Sequence, residues 1–110
     1  MSTPRPEEDG VLECGPFAIG SGVWPGIAKL AEELGELQQV IGKVLAYPSG
    51  DHPDGAGALQ ERLRDELADV EAACAFVVET NPALDGAHVF WRRGIKLERF
   101  RTWHAMEQER

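Results

Sequence analysis

The sequence predicts an all-α domain, and three observations support this prediction. Three long segments place apolar residues at intervals of three and four, the period of an amphipathic helix. Segments rich in Gly and Pro separate them, and no segment alternates apolar and polar residues as a half-buried strand does. The 110 residues fit one domain, with a Pro/Glu/Gly-rich leader at residues 1–15, expected to be disordered, and a helical bundle at residues 16–110.

The first helix is predicted to span residues 24–46. Pro25 suits the first helical position, where the missing N–H of proline costs nothing. Residues 47–57 hold two prolines and three glycines, so they are predicted to form a loop. The apolar residues expected to form the buried stripe of this helix are Ile27, Leu30, Leu34, Leu37, Ile41 and Val44.

A second helix is predicted over residues 58–79 and a third over residues 87–110. Between them "TNPALDG" interrupts the helical pattern, and we expect a short extra turn near Pro82. Gly94 is expected to weaken the third helix. Cys74 lies on the stripe of the second helix, which predicts a small buried apolar residue. That stripe consists of Leu59, Leu63, Leu67, Val70, Cys74 and Val77.

Composition narrows the classes of function. The formal net charge is -8, from 19 acidic and 11 basic residues, which argues against a nucleic-acid or anionic-membrane binder. Two cysteines, no signal-peptide pattern and no membrane-length apolar run favour a reduced, cytoplasmic protein. A chain this short buries a modest core, so association with a second copy of the chain is expected.

The first two helices repeat one pattern at an offset of 33 residues, so that residues 30–45 match residues 63–78. Glu33 in the first helix and Glu66 in the second fall about 60° from the matched leucines Leu30 and Leu63. Glu36 and Asp69 fall about 120° from the same leucines, on the same flank. If the stripes pack together, the four carboxylates converge and predict a site for a hard divalent cation such as Mg²⁺. Alternatively, the two pairs face water separately.

With "EELGE" at residues 32–36 and "ELAD" at residues 66–69, the chain resembles the MazG-like family of all-α nucleoside triphosphate pyrophosphohydrolases. The resemblance covers residues 24–100, and it implies a homodimer or a homotetramer. It implies that Glu33, Glu36, Glu66 and Asp69 hold Mg²⁺, with Mn²⁺ as a substitute, and that Glu32 serves a second metal or orients water. The implied reaction converts a nucleoside triphosphate, including deoxynucleotides, to a monophosphate and pyrophosphate.

Five of the eleven basic residues lie between positions 92 and 101. The resemblance implies that Lys96 and Arg99 contact the triphosphate. Arg92 shares their helical face, and we weigh phosphate binding equally with solvation for it. Trp24 precedes Pro25 and is expected to pack at the helix start, with stacking on a nucleobase as the alternative. Trp91 and Trp103 are expected in the core or at an interface.

Two other kinds of function fit the same residues. One is a related pyrophosphatase for phosphoribosyl-ATP or a pyrimidine deoxynucleotide. The other is a non-catalytic helical module that binds metal or nucleotide. A plain helical bundle without a site is the third alternative. The sequence does not choose the base, the sugar or the number of metal ions.

Overall fold

The computed structural model describes residues 23–109 and contains three α-helices in that range. Helix α1 spans Ile27–Ala46, α2 spans Leu59–Thr80, a 3₁₀ turn covers Pro82–Leu84, and α3 spans Gly86–Gln108. No strand is present among these residues. The all-α class, the loop and the turn at Pro82 are therefore confirmed. The predicted leader at residues 1–15 lies outside the described residues.

Helices α1 and α2 form an antiparallel hairpin, which is the main packing unit of the chain. At one end the carbonyl oxygen of Pro25 accepts hydrogen bonds from Asn81 Nδ2 at 3.0 Å and Thr80 Oγ1 at 3.3 Å. At the other end Leu59 N donates to the oxygen of Gly50 at 3.0 Å. The buried apolar residues of the described chain are Val40, Leu59, Ala73 and Val77.

The start of α1 differs from the prediction. The helix begins at Ile27, and Pro25 lies two residues before it. Gly26 separates them with a φ of 86°, which only glycine adopts easily, so the chain turns before the helix starts. A Cβ atom at position 26 would lie 2.6 Å from Cδ2 of Phe76 on α2. Glycine is therefore required here both for its backbone conformation and for the close approach of the second helix.

The predicted apolar stripes are only partly buried. Ile27, Leu34 and Ile41 are between 41% and 48% exposed, and Leu67 is 45% exposed. Cys74 is also exposed, so the prediction that it is buried is wrong for the single chain. The buried residues Val40 and Ala73 lie about 80° from Leu30 and Leu63, on the side of the acids. The two helices therefore meet at the edge of the predicted stripes that is nearest to the acidic flank. A single helix–helix contact covers only part of so broad a stripe.

The loop at residues 47–58 is attached to both helices through one carboxylate. Asp54 Oδ2 accepts from Lys43 Nζ of α1 at 3.1 Å, and Asp54 Oδ1 accepts from Arg62 Nη1 of α2 at 3.1 Å. The backbone N–H of Ala56 also donates to Asp54 Oδ1. This N–H and the two cations hold the pKa of Asp54 well below its usual range. The loop is thereby fastened to the hairpin at its mid-point.

Helix α3 follows the 3₁₀ turn and extends away from the hairpin. Asp85, with a φ of 55°, caps it by accepting a hydrogen bond from His88 N through Oδ1. The helix runs through Gly94 without a break. It packs against the 3₁₀ turn but makes no extensive contact with α1 or α2. Trp91 and Trp103 are 59% and 52% exposed, so neither belongs to the core of the single chain.

Within residues 23–109, no helix combines the length and apolar character needed to span a membrane.

Candidate metal centre

Three carboxylates from the two hairpin helices meet at one point. Glu33 of α1 and Glu66 and Asp69 of α2 each offer one oxygen, and these oxygens lie within 4.8 Å of one another. Glu66 and Asp69 share a face of α2 because they are three residues apart. The antiparallel packing brings Glu33 opposite them. The packing of the two helices therefore brings together three of the four predicted metal ligands.

Two carboxylate oxygens in this cluster are buried without a hydrogen-bond partner. Among the described residues these are Oε2 of Glu33 and Oε2 of Glu66. A buried, unpaired carboxylate oxygen is costly unless a positive charge or a donor satisfies it. The oxygens of this cluster therefore have the chemistry of cation ligands, since a hard divalent ion binds carboxylate oxygens in this way.

The carboxyl groups raise one another's pKa. Burial, followed by the negative charges of Glu36 and Asp69, raises the pKa of Glu66 to about 7. Burial and the charges of Glu36 and Asp69 also raise the pKa of Glu33. The pKa of Asp69 is raised by burial and by the charge of Asp65. Without a cation, the cluster is therefore partly protonated near neutral pH.

Glu36 and Glu32 lie beside the cluster and not within it. Glu36 is exposed and stands outside the group of three, although its charge raises the pKa of both Glu33 and Glu66. Glu32 is half-buried and forms an ion pair with Lys29. Glu36 is therefore placed to act on the cluster through its charge. Glu32 instead orients the ammonium group of Lys29.

A cavity of about 390 Å³ adjoins the cluster at the start of α1. Its size is within the range of small-molecule sites. Acidic, basic and apolar groups all contribute to its wall, which suits a ligand with a charged part and a flat apolar part. The residues that line it are Gly26, Lys29, Glu33, Asp69, Ala72, Ala73 and Phe76.

Two of these residues, Lys29 and Phe76, were not among the predicted site residues. Lys29 lies four residues before Glu33, and Phe76 lies seven residues after Asp69. Both spacings place the residue on the same helical face as the acid. The sequence therefore contained the spacing that places Lys29 and Phe76 beside the acids. Basic and aromatic residues at such a spacing are common in helices, so the spacing alone did not identify these two as site residues.

The basic residues predicted to bind phosphate are on α3, away from this cavity. Lys96 lies over the ring of Phe100, with 5.4 Å from Nζ to the ring centroid. Arg99 lines a shallow surface cavity beside Trp91. Arg92 is exposed. None of these three basic residues lines the acidic cavity within the single chain.

Trp24 is 48% exposed and precedes the turn at Gly26. It is not among the residues that line the acidic cavity, although Gly26 is. The single chain therefore does not place the Trp24 ring in the cavity wall.

Comparison of the chain with protein-family models, with curated proteins and with solved structures finds no significant match. The residues of the site and their chemistry therefore carry the functional inference.

Proposed function

We propose that the protein is a Mg²⁺-dependent nucleotide pyrophosphohydrolase that converts a nucleoside or deoxynucleoside triphosphate to the monophosphate and pyrophosphate. The observation that carries the proposal is the cluster of Glu33, Glu66 and Asp69, in which two buried carboxylate oxygens lack a partner. The resemblance to the MazG-like family supports the same proposal, because three of the motif acids form this cluster.

The chemistry of the donor set fits Mg²⁺ better than a transition metal. The cluster contains only carboxylates, and Mg²⁺ prefers oxygen ligands while keeping positions open for water and phosphate. A bound Mg²⁺ would neutralise phosphate charge and lower the pKa of a water molecule. Glu33, Glu66 and Asp69 would hold the ion, with Mn²⁺ as a substitute, and Glu36 would add negative charge at the edge.

The reaction balances with water as the only co-substrate. The oxygen of water forms a bond to the α-phosphorus, and the bond from that phosphorus to the bridging oxygen breaks. The proton of water passes to a carboxylate of the site or to solvent, and pyrophosphate leaves. The choice of the α-phosphorus comes from the resemblance, since carboxylates alone do not select it.

Lys29 is the basic residue in the wall of the acidic cavity, and we assign it as a phosphate contact. Its ion pair with Glu32 positions the ammonium beside Glu33. Phe76 and Ala72 supply the apolar part of the wall, where a nucleobase or ribose would lie. Contacts from Lys96 and Arg99 to the same triphosphate would have to come from another copy of the chain.

The test is incubation of the purified protein with a panel of nucleoside and deoxynucleoside triphosphates, with Mg²⁺ or with EDTA, and separation of all phosphate products. We expect monophosphate and pyrophosphate in equal amounts with Mg²⁺ and none with EDTA. Release of diphosphate and inorganic phosphate instead would contradict the assigned bond. Stabilisation by Mg²⁺ or by nucleotide without any product would replace the enzyme with a binding module.

A further inference from the structure

An open apolar cleft of about 750 Å³ lies between α2 and α3. Val70, Cys74 and Val78 line it from α2, and Val89 and Phe90 line it from α3. Phe90 is 74% exposed, and Cys74 is exposed as well. Monomeric proteins rarely expose contiguous apolar surface on this scale. The cleft therefore has the character of a docking surface for an apolar chain segment.

The cleft is closed at one end and open at the other. The 3₁₀ turn at Pro82–Leu84 joins its two walls and so marks the closed end. The lining residues farthest from this turn are Val70 on α2 and Arg93 on α3. At a rise of about 1.5 Å per residue, the cleft extends roughly 15 Å along α2 from Thr80 to Val70.

Residues 1–22 lie outside the described part of the chain, and they join it close to the closed end of the cleft. The carbonyl oxygen of Pro25 accepts hydrogen bonds from Thr80 and Asn81, which directly precede the 3₁₀ turn. The point of attachment of residues 1–22 is thereby fixed beside the end of α2.

The path from Pro25 into the cleft is within the reach of this part of the chain. Val77 faces α1 beside Gly26, and the cleft residue Val78 lies about 100° further around α2. Passing around a helix of about 10 Å diameter by this angle and moving two turns along it takes roughly 20 Å. Cys14 precedes Pro25 by eleven residues, which can span up to about 36 Å.

The segment at residues 11–19, "VLECGPFAI", has the composition that the cleft requires. Glu13 is its single charged residue. Its large apolar residues are Val11, Leu12, Phe17 and Ile19. Three acids, "EED" at residues 7–9, come shortly before it. The chain thus carries an apolar segment of the right length beside the cleft, with a negative charge cluster at its far end.

Charge at the cleft sets the direction of this segment. Arg93 lies at the open end and also lines a shallow surface cavity together with Lys96. Within residues 23–109, no carboxylate forms an ion pair with either of these two cations. The α2 wall carries Glu71 and Glu79 instead, which repel acids. A segment that runs outward from the turn therefore places residues 7–9 against the basic residues of α3.

We propose that residues 11–19 dock in the cleft between α2 and α3 of the same chain, with residues 7–9 against the basic residues of α3. The apolar side chains of the segment cover Val78, Val89 and Phe90, and Cys14 lies beside Cys74. Docking also fixes the angle between α2 and α3, which the 3₁₀ turn alone holds among the described residues.

The first experiment measures how fast a charged disulfide reagent reacts with Cys74 in the full chain. Cys14→Ser makes Cys74 the sole thiol. We expect the reaction to become about tenfold faster when Leu12→Ser and Phe17→Ser are added, since both remove apolar surface that docking buries. Equal rates with and without these two substitutions would overturn the proposal, because the cleft would then be open or covered by something else.

The matched control is the pair Pro4→Ser and Pro6→Ser in the same Cys14→Ser chain. It changes two residues of the same part of the sequence but leaves residues 7–19 otherwise intact. The reaction rate of Cys74 should stay at the slow value. Circular dichroism would verify that all variants remain helical.

The second experiment oxidises the wild-type chain with diamide at low protein concentration. Docking predicts a disulfide between Cys14 and Cys74 of one chain. The two thiols lose two protons and two electrons, and the diazene of diamide takes them up to become a hydrazine. The bond should form about tenfold more slowly with Leu12→Ser and Phe17→Ser, which keep the same tether length but weaken docking.

Non-reducing electrophoresis and peptide mapping identify the product. A disulfide that joins two chains would give the cleft to the segment of a second copy and would overturn the proposal. Equal rates of oxidation in the wild type and the variant would do the same, because residues 11–19 would then move freely. Neither experiment uses nucleotide or metal, so the outcome is independent of the proposed hydrolysis.

Discussion

The hairpin and α3 are built from helices of similar length, yet they are stabilised differently. Helices α1 and α2 have 20 and 22 residues and bury Val40, Ala73 and Val77 against each other. Helix α3 has 23 residues and buries none. Backbone hydrogen bonds and local propensity form all three helices, but only tertiary contact supplies most of the stability of a helix in a protein. A continuous helix therefore does not imply that its side chains are packed against other parts of the protein.

The hairpin and α3 also differ in the sign and the surroundings of their charged residues. The hairpin concentrates acids at a packed contact, where burial raises the pKa of Glu33, Glu66 and Asp69. Helix α3 carries its basic residues on an uncovered surface. Perturbed ionisable groups at a cavity are typical of functional sites. Substitutions in the hairpin should thus affect chemistry and folding, and those on α3 should affect association.

The largest effect is expected from removing one charge of the acidic cluster. Glu33→Gln or Asp69→Asn should lower kcat/KM by about 100-fold or more, because the proposed Mg²⁺ would lose a ligand. The melting temperature without metal should stay the same or rise, since either substitution reduces repulsion among the carboxylates. Kinetics and thermal unfolding of the same samples check both parts.

Glu61→Gln is the matched control for these variants. It also removes one negative charge from α2, but Glu61 is exposed and lies outside the cluster. Its activity should stay close to that of the wild type. Full activity in both Glu33→Gln and Asp69→Asn would exclude the cluster as the catalytic metal site.

The next effect concerns the closure of the hairpin. Gly26→Ala should destabilise the protein by about 2 kcal/mol, since it forces a side chain into a left-handed backbone conformation and against Phe76. Gly42→Ala, at a helical position with nothing within 4 Å of the added atom, should stabilise by about 0.5–1 kcal/mol. Chemical denaturation at one fixed protein concentration compares the two. Equal effects of the two substitutions would mean that the contact of Gly26 with Phe76 does not hold the hairpin.

The smallest effect concerns pH. The pKa of Glu66 is raised from 4.5 to about 7 in the folded protein, so the folded state binds more protons than the unfolded state between these values. Without metal, stability should therefore fall as pH rises through this window, and the Glu66→Gln variant should lack that part of the fall. The difference should be a few degrees in melting temperature, since solvent screens a half-exposed group.

Mg²⁺ provides the complementary measurement for Glu66. If Glu66 holds Mg²⁺ as proposed, the ion binds its ionised form, so the gain in melting temperature on adding Mg²⁺ should be larger at pH 8 than at pH 5.5. A gain that is independent of pH, or one that persists in Glu66→Gln, would separate Glu66 from the metal.

The apolar periodicity of the sequence predicted the helices, the loop and the turn well, because each of these depends on residues that are close in sequence. The loop, the turn at Pro82 and the extent of α2 follow from Gly, Pro and apolar spacing. The start of α1 was misplaced because Pro25 suits either the first helical turn or the turn before it. The φ of Gly26 and its contact with Phe76 decide between them, and that contact joins residues far apart in sequence.

The candidate site was predicted in part for a similar reason. The matched register of the two helices predicted that four carboxylates converge. Three of them do, Glu33, Glu66 and Asp69, and the fourth, Glu36, does not. The rotation of each helix about its own axis depends on how the side chains of the two helices interdigitate. The apolar periodicity of the sequence predicts this rotation only to within tens of degrees. That rotation left Glu36 at the edge, exposed Cys74 and Leu67, and brought Lys29 and Phe76 into the cavity wall.

The isolation of α3 has a consequence for folding kinetics. The contacts of the hairpin join residues within one chain, so the hairpin should form in a first-order phase whose rate is independent of protein concentration. Within residues 23–109, helix α3 packs mainly against the 3₁₀ turn, so few tertiary contacts stabilise it once it has formed. If the expected second copy of the chain covers α3, refolding should end in a second-order phase that slows on dilution, and tryptophan fluorescence from Trp91 and Trp103 would report it.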